Sequence, residues 1–546
     1  MRSFQRTEPT HLLYFYRTYI GTMQLRYTTL ALVTGLLTLQ SSAQLSFGGN
    51  PLGLSRNAGL PEAPTAVMPD VDAPALMAED EARTAAGIKG PYRFGFNHAT
   101  DLSMSNSGVW HEFSNGDRVW RLAIQCPRAY SINFEFHDYV VPEGASVFVY
   151  NDLGEHIGGF NAESNPGNTV LGVTQLPGER ITIEYVEPAA VRGLGSLRIG
   201  QVTHAYRDLF NSTKGLGDSG SCNNNVICAV GDNWRAQIRS VAMITVGGSG
   251  ICTGTLINNC QENGTPYFLT ANHCLGGNNT WVFRFNYNSP TCVVNNNGPT
   301  NQTVSGSTLK VNSSTTDVAL LQLNTTPPAS YNVFYSGWDR SAAIPSGAVG
   351  IHHPSGDVKK ISFDNNPLTT SSYLGNANSG TNFWRVGNWE DGTTEGGSSG
   401  SALFNPQGLV IGQLYGGFAS CQSITADYYG RFSQSYSLLQ QWLGNCGNVL
   451  YGYPSATAVD DMGISDNRLS LVPNPSNGRV QVLLPIMARQ SGTVRVFDAL
   501  GKVVAERNYA TGTERIDLSL QQPGGIYFVE VSSGGTRIVE RLLLDR

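Results

Sequence analysis

Eight of the chain's nine cysteines fall between Cys222 and Cys446, downstream of a segment that reads as an export leader. In an oxidising compartment such cysteines pair, so this stretch must fold into a form that brings distant segments together. Spacing alone does not fix the connectivity. Cys252 and Cys274 bracket a strand-turn-strand stretch ending beside His273, and a bridge there would clamp that histidine to its strand. Cys126 stands alone upstream and is expected as a free, buried thiol. The leader has an apolar core, Thr29–Leu39, behind Arg26, and ends in Ser41-Ser42-Ala43. This predicts a signal peptide over residues 1–43, cleaved after Ala43, with Met23 as a candidate translation start. The core is far short of the ~20 apolar residues a membrane-spanning helix needs, so no membrane span is expected.

Three short segments carry the chemistry. The apolar strand Tyr267-Phe268-Leu269 leads into Thr270-Ala271-Asn272-His273-Cys274. Asp317 opens a second apolar strand, Val318-Ala319-Leu320-Leu321. The third segment is Gly397-Ser398-Ser399-Gly400-Ser401. Singly, each has an ordinary reading: a packed core pair, a strand-start residue and a flexible linker. Together, each beside the expected strand, they give the order His, Asp, Ser, one of the chain orders for nucleophilic serine catalysis and that of the double β-barrel peptidases. A serine hydroxyl needs an adjacent base. Histidine takes and returns a proton near pH 7, and a carboxylate fixes its tautomer. Glycines around Ser399 allow a sharp turn, so the amides of Gly397 and Ser399 form a candidate oxyanion hole.

A chain of 546 residues has a prior of three or four domains. Net charge is −6, only 14% of residues are charged, and no basic patch occurs, which suits a secreted, strand-rich protein and argues against nucleic acid as a partner. The predicted fold is all-β: a trypsin-like double β-barrel with a short C-terminal helix, flanked by a β-rich propeptide and a small C-terminal β-sandwich. Residues 44–214 hold alternating strands at Val119–Ile124, Ala145–Tyr150 and Ile181–Val186 and are assigned to the propeptide, with a carbohydrate-binding or other accessory module as the alternative. Residues 215–447 are assigned to the peptidase. Only one segment there reads as helical, Ser435–Leu443, with Leu438, Leu439, Trp442 and Leu443 on one face and Gly444 as its stop. Residues 448–467 form a linker. Residues 468–546 form a small β domain with strands Val480–Leu484, Thr493–Phe497 and Gly525–Val531 and a hairpin-like turn at Gly501.

The peptidase region resembles the lysyl endopeptidase branch of the trypsin-like serine peptidases. The shared text runs from Thr394-Glu395-Gly396-Gly397-Ser398-Ser399-Gly400-Ser401 through Gly412-Gln413-Leu414, Gly416-Gly417 and Cys421 to Asp427-Tyr428-Tyr429-Gly430-Arg431. The resemblance implies His273 as general base, Asp317 as its orienter, Ser399 as nucleophile, and disulfides Cys222–Cys421, Cys228–Cys292 and Cys252–Cys274. Cys260 and Cys446 lie outside that pattern and are expected to pair with each other. Trypsin carries its specificity aspartate six residues before the nucleophile, where this chain has Thr393. In the lysyl branch the pocket acid lies after the nucleophile, and Asp427 matches it, with Thr394, Tyr415 and Gly417 as further substrate-binding candidates. A buried carboxylate at the base of a narrow slot pairs with an ammonium and rejects the larger planar guanidinium by shape. Asp427 otherwise reads as a turn residue before a tyrosine-rich strand.

Tyr415 departs from the family, which has a histidine there; that histidine and a stacked tryptophan flank the catalytic histidine, and Trp389 or Trp384 is the candidate tryptophan here. His352 and His353 precede Pro354 with no third metal ligand at useful spacing and are read as ordinary loop residues. The expected activity is a secreted endopeptidase cutting after lysine, without metal or organic cofactor and with protein or peptide substrates as partners. A trypsin-like peptidase of broader preference and a catalytically silent adhesion protein are the alternatives. Lys214-Gly215, just ahead of Cys222, is the expected maturation site. The C-terminal region resembles the sorting domain of type IX secretion, on Pro473-Asn474-Pro475, Asn477-Gly478, Asp498-Ala499-Leu500-Gly501-Lys502 and Gly525-Ile526-Tyr527. This implies the type IX machinery as partner and a secreted or cell-surface location. An immunoglobulin-like adhesion module is the alternative.

Overall fold

Gly306 forces the first of two large sheets to close on itself. That sheet runs Thr303–Ser305, Val282–Phe285, Val241–Val246, Gly250–Leu256, Tyr267–Ala271, Val318–Leu323, Ser307–Ser313 in hydrogen-bonded order. Its two edge strands are separated in sequence by Gly306 alone, so the sheet must curl until its edges meet. Gly306 takes φ +77°, and a Cβ there would lie 2.5 Å from the Asn324 side chain. The second sheet runs Asn224–Asn225, Lys360–Asp364, Ala348–His352, Ala402–Phe404, Val410–Gly417, Asp427–Arg431, Phe383–Val386, Thr369–Ser371. Here only residues 365–368 separate Thr369–Ser371, the last strand of the order, from Lys360–Asp364, the second, with the same consequence. A sheet closed in this way has no long free edge.

The protein is described from a computed structural model covering residues 48–544, except 56–58, 211–218, 278, 293–296, 377–379, 424, 455–468, 473–475, 477, 485–487, 489, 499–500, 514 and 534–535. The signal peptide with its Met23 start, the Lys214-Gly215 bond, most of the linker, and the Pro473-Asn474-Pro475, Asn477 and Ala499-Leu500 parts of the sorting motif lie outside the described residues.

Aromatic side chains fill the first barrel: Phe268, Trp281, Phe283 and Phe285 are all fully buried. All six residues of Val241–Val246 are buried, so this strand lacks the in-out alternation of a half-exposed one. The helix is longer than its sequence pattern suggested, Phe432–Leu443, and it buries Phe432, Tyr436, Leu439 and Leu443. Leu438, expected on that face, is 42% exposed: the face is set by the i, i+4, i+7, i+11 series that begins at Phe432. A second short helix in this region, Arg235–Ser240, lies outside the sequence reading.

The amino-terminal region is a sandwich. One sheet orders Thr65–Val67, Arg118–Gln125, Arg180–Glu187, Ser146–Asn151 and His156–Phe160; the other orders Gly95–Ser103, Ser196–Ala205, Ser131–Val140 and Leu171–Pro177. Trp120, Phe134, Phe136 and Tyr185 pack between them, together with Cys126, whose thiol is free and fully buried. Burial pushes that thiol up to about 12. Between Thr65–Val67 and the rest of the sandwich comes a helix that strand alternation did not reveal, Ala73–Ala85. The Asp72 side chain accepts the Ala75 N–H, and Pro74 sits in the first turn. The helix buries none of its residues and is tied down by charge: Asp80 accepts from Arg93, Tyr206 and Arg207. The sandwich meets the first barrel through polar contacts, among them Arg284 with Thr174 and Gln175 at 2.7 Å each, and Ser305 Oγ with the Gly172 carbonyl at 2.7 Å.

At the C-terminus a three-stranded sheet (Ser470–Val472, Arg479–Leu483, Arg515–Ser519) faces a four-stranded one (Val503–Tyr509, Gly492–Phe497, Gly525–Ser533, Thr536–Leu544) over a core that includes Val482, Val496, Val529 and Leu542. No described helix is long and apolar enough to cross a membrane.

Candidate active site

Each candidate side chain sits where a strand ends. Tyr267–Ala271 delivers Asn272-His273-Cys274 as a single 3-10 turn, and Val318–Leu323, its antiparallel neighbour, begins one residue after Asp317. The pairing brings imidazole and carboxylate together twice over. His273 Nδ1 lies 2.7 Å from Asp317 Oδ2, and the His273 backbone N–H donates to Oδ1 at 2.9 Å. Asp317 is held in an unusual backbone conformation, φ +55°, and is almost wholly buried. Burial raises its pKa, while both His273 contacts oppose the rise. Thr316 is locked on either side, its carbonyl accepting from Gln413 Nε2 at 2.7 Å and its hydroxyl from Ser435 at 2.8 Å. The C-terminal helix thus supports the acid from behind.

The serine arrives from the second barrel on the loop before Ala402–Phe404. Gly397 and Gly400 take φ +92° and +83°. A Cβ on Gly397 would lie 2.8 Å from the His353 carbonyl, and one on Gly400 would lie 2.2 Å from Thr270 Oγ1, so neither place admits a side chain. Thr253 stitches the loop to the first barrel: its N–H donates to the Ser399 carbonyl at 2.8 Å and its hydroxyl to the Gly397 carbonyl at 2.9 Å. Ser399 and His273 therefore meet at the seam, beside the Cys252–Cys274 disulfide. Both sulfurs lie within 4.8 Å of an imidazole nitrogen, but they are bonded to each other and are not thiolate ligands. His273 Nε2 is buried and makes no hydrogen bond, so no bond joins it to Ser399 Oγ.

The paired histidines that read as loop residues are something else. His352 ends a strand, and both it and His353 are fully buried. His352 Nδ1 contacts the Ser398 hydroxyl at 2.8 Å, and its Nε2 contacts Ser362 at 3.1 Å. Burial depresses His352 to about 3, so it supports the loop as a neutral ring. The sequence signal available was proximity to a strand; the partner, Ser398, lies 46 positions away.

Thr394, Gly416 and Gly417 line the cleft beside Ser399, and Asp427 lies behind them, against Thr394 and Gly417. Asp427 is fully buried. Its Oδ2 accepts from Thr394 Oγ1 at 2.6 Å and from Trp389 Nε1 at 2.8 Å, while Oδ1 has no partner. A Cβ on Gly417 would approach Oδ1 to 2.3 Å, so glycine there is what leaves that oxygen room. Burial raises the Asp427 pKa and the two donors oppose the rise. Thr393, at the trypsin aspartate's position, is buried and gives its carbonyl to Ser362.

Tyr415 lies against His273, ring centroids 5.6 Å apart. The rings stacked on Tyr415 are Tyr373 at 4.0 Å and Phe383 at 5.6 Å. Neither tryptophan candidate takes that place: Trp384 turns inward to the Ile411 carbonyl and Trp389 to Asp427. The disulfides are Cys222–Cys421, Cys228–Cys292, Cys252–Cys274 and Cys260–Cys446.

Two closed sheets with a serine, a histidine and a buried carboxylate at their seam define a serine endopeptidase. Comparison with known proteins gives the family. The chain is 31% identical to the lysyl endopeptidase of Pseudomonas aeruginosa over 369 residues, spanning 61% of this chain and 77% of that protein. Residues 216–430 match the family described as lysyl endopeptidase, C-terminal domain. The chain belongs to the lysyl endopeptidase family. Residues 470–545 match the secretion system C-terminal sorting domain, which marks the protein for secretion or cell-surface attachment. Among solved structures, a Glu endopeptidase is 20% identical, covering 42% of this chain and 98% of that one with TM-score 0.28. An HtrA-type protease is 14% identical, covering 58% and 98% with TM-score 0.29.

Proposed function

We propose that the protein hydrolyses peptide bonds on the carboxyl side of lysine, through Ser399 activated by His273 and Asp317. The observation that carries the lysine preference is the unpartnered Oδ1 of a fully buried Asp427 directly behind Gly417 of the cleft wall. A buried carboxylate with one oxygen satisfied and one free calls for a compact cation. An ammonium suits it; a planar guanidinium with five donors does not fit a slot with one acceptor left.

In this reading Ser399 Oγ attacks the carbonyl carbon and passes its proton to His273 Nε2. The imidazolium is stabilised and oriented by Asp317 Oδ2, and the His273 backbone N–H, donating to Oδ1, holds that carboxylate in place. The N–H groups of Gly397 and Ser399 receive the oxyanion, a contribution of about 3 kcal/mol per donor in comparable sites. His273 then protonates the leaving amine, and water repeats the sequence to free the acyl group. Tyr415, with no ionisation near neutral pH, fixes the imidazole by stacking.

We assign residues 44–214 to a propeptide, 215–447 to the peptidase and 468–546 to the sorting domain, with removal of the propeptide at Lys214-Gly215. The test is cleavage of a peptide library by the purified secreted enzyme. The expected result is cutting after lysine with arginine at least ~100-fold poorer, the size of effect a buried, unmatched polar group produces. Equal cutting after both residues would discard the lysine assignment.

A further inference from the structure

The amino-terminal region lays one of its own lysines against the glycine wall of the slot, short of an ion pair with Asp427. Lys89 Nζ donates to the Gly417 carbonyl at 3.4 Å. It also lies 5.8 Å from the centroids of both the Tyr373 and Phe418 rings. A Cβ on Gly416 would sit 2.8 Å from that same ammonium, so the glycine pair that bounds the slot is also what admits Lys89. Burial lowers the Lys89 pKa, and the charges of Asp427 and then Asp317 act against that. The ammonium therefore feels both carboxylates of the site.

The chain that follows is bound as an extended strand on the far side of the serine. Tyr92–Arg93 pairs antiparallel with Gly250–Ile251, just before Cys252 of the disulfide beside His273. The Phe94 N–H donates to the Ser249 carbonyl at 2.9 Å. The Tyr92 ring covers Gly396, where a Cβ would approach it to 2.9 Å. With Lys89 at the Gly416-Gly417 wall and Tyr92 already on the strand, only Gly90 and Pro91 remain to cross between them. Lys89, Gly90, Pro91 and Ser399 line one cavity of about 920 Å³. A peptide anchored on both sides of the nucleophile in this way has its bond after the slot residue at the reacting position.

From this two-sided anchoring we infer that Lys89–Gly90 is a self-cleavage site, held across Ser399 in the register of a substrate and blocking the cleft to other peptides until it is cut. The inference rests on the lysine-directed reading above. Only six lysines occur in the chain, and two of them, Lys89 and Lys214, precede glycine. In the step, Ser399 Oγ bonds to the Lys89 carbonyl carbon and the bond to the Gly90 nitrogen breaks. The serine proton goes through His273 to that amine. Water then hydrolyses the ester, leaving a Lys89 carboxylate, a free Gly90 amine and the regenerated hydroxyl. After the cut the Ala73–Ala85 helix stays tethered through Asp80 to Arg93, Tyr206 and Arg207, so release is a separate event.

The test uses the full chain, followed by N-terminal sequencing and intact mass at several protein concentrations, with hydrolysis of a small lysyl peptide measured in the same samples. The expected result is a new terminus at Gly90, formed at a rate unchanged by ten-fold dilution. The cut is lost in Ser399→Ala and slowed at least 100-fold in Lys89→Gln. Gly90→Pro, which keeps the lysine but removes the scissile N–H, is the second variant and also stays uncut. A chain that hydrolyses the lysyl peptide yet keeps Lys89–Gly90 intact, or cuts it only at a rate proportional to concentration, overturns the inference and leaves the lysine reading standing. A chain that cuts neither overturns both.

Discussion

Asp427→Asn separates charge from shape in the specificity slot. The substitution is isosteric, so the slot keeps its volume. The wild-type Oδ2 accepts from Thr394 and Trp389 at 2.6 and 2.8 Å. In the amide the single oxygen must take that place, because both neighbours are donors. The NH₂ then occupies the Oδ1 position and turns a donor toward the incoming ammonium. Removing one partner of a buried, hydrogen-bonded charge pair costs about 2–5 kcal/mol. At 1.36 kcal/mol per factor of ten, kcat/KM for a lysyl substrate should fall by about 30- to several-thousand-fold. An otherwise identical norleucine substrate, of similar length and no charge, should be cut at least as well by the variant, since the buried carboxylate no longer opposes an apolar guest. The assay is a matched pair of fluorogenic peptides on the mature enzyme. A fall of less than threefold for lysine, or an equal fall for both peptides, would refute the reasoning that Oδ1 selects the cation.

Asp317→Asn should leave the fold intact and lower kcat by about 10⁴-fold, because the amide holds His273 in the wrong tautomer; steady-state kinetics check this. Replacing Cys252 and Cys274 by serine opens a loop of 22 residues and should remove roughly 3 kcal/mol, read as a lower urea midpoint at unchanged slope. Lys359 is fully buried, with its ammonium 2.6 Å from the Ile238 carbonyl, and burial lowers it to about 7. Between pH 7 and its ordinary value near 10.5 the unfolded chain binds more protons there, so this residue makes stability rise with pH across that window. The rise in urea midpoint from pH 7 to 10 should be smaller in Lys359→Met, compared in a Ser399→Ala background that prevents self-digestion.

Much of this was legible in the sequence because the informative residues are locally constrained. His273, Asp317 and Ser399 each follow or open an apolar run, and those runs are strands whose pairing brings the first two together. Gly397 and Gly400 announced a turn that only glycine can make. The supports were hidden because they are distant in sequence and chemically ambiguous. His352 beneath Ser398 and Tyr373 on Tyr415 are contacts between segments that no periodicity connects. The Ala73–Ala85 helix escaped because it buries nothing and so has no apolar stripe; an aspartate cap and a first-turn proline were its only marks. Leu438 misled because Leu438-Leu439 offers two adjacent apolar positions, and only the position of Phe432 decides which of them faces the core. The approach of Lys89 to Gly416 and Gly417 has no sequence signature beyond the residue itself.

The account stands on Ser399 as a nucleophile activated by His273, and a mass-mapped fluorophosphonate adduct tests it directly. One adduct per mature chain, located on Ser399 and abolished by His273→Ala, is the predicted result. An adduct on Ser398 or Ser401 instead, or labelling that persists undiminished in His273→Ala, would contradict it.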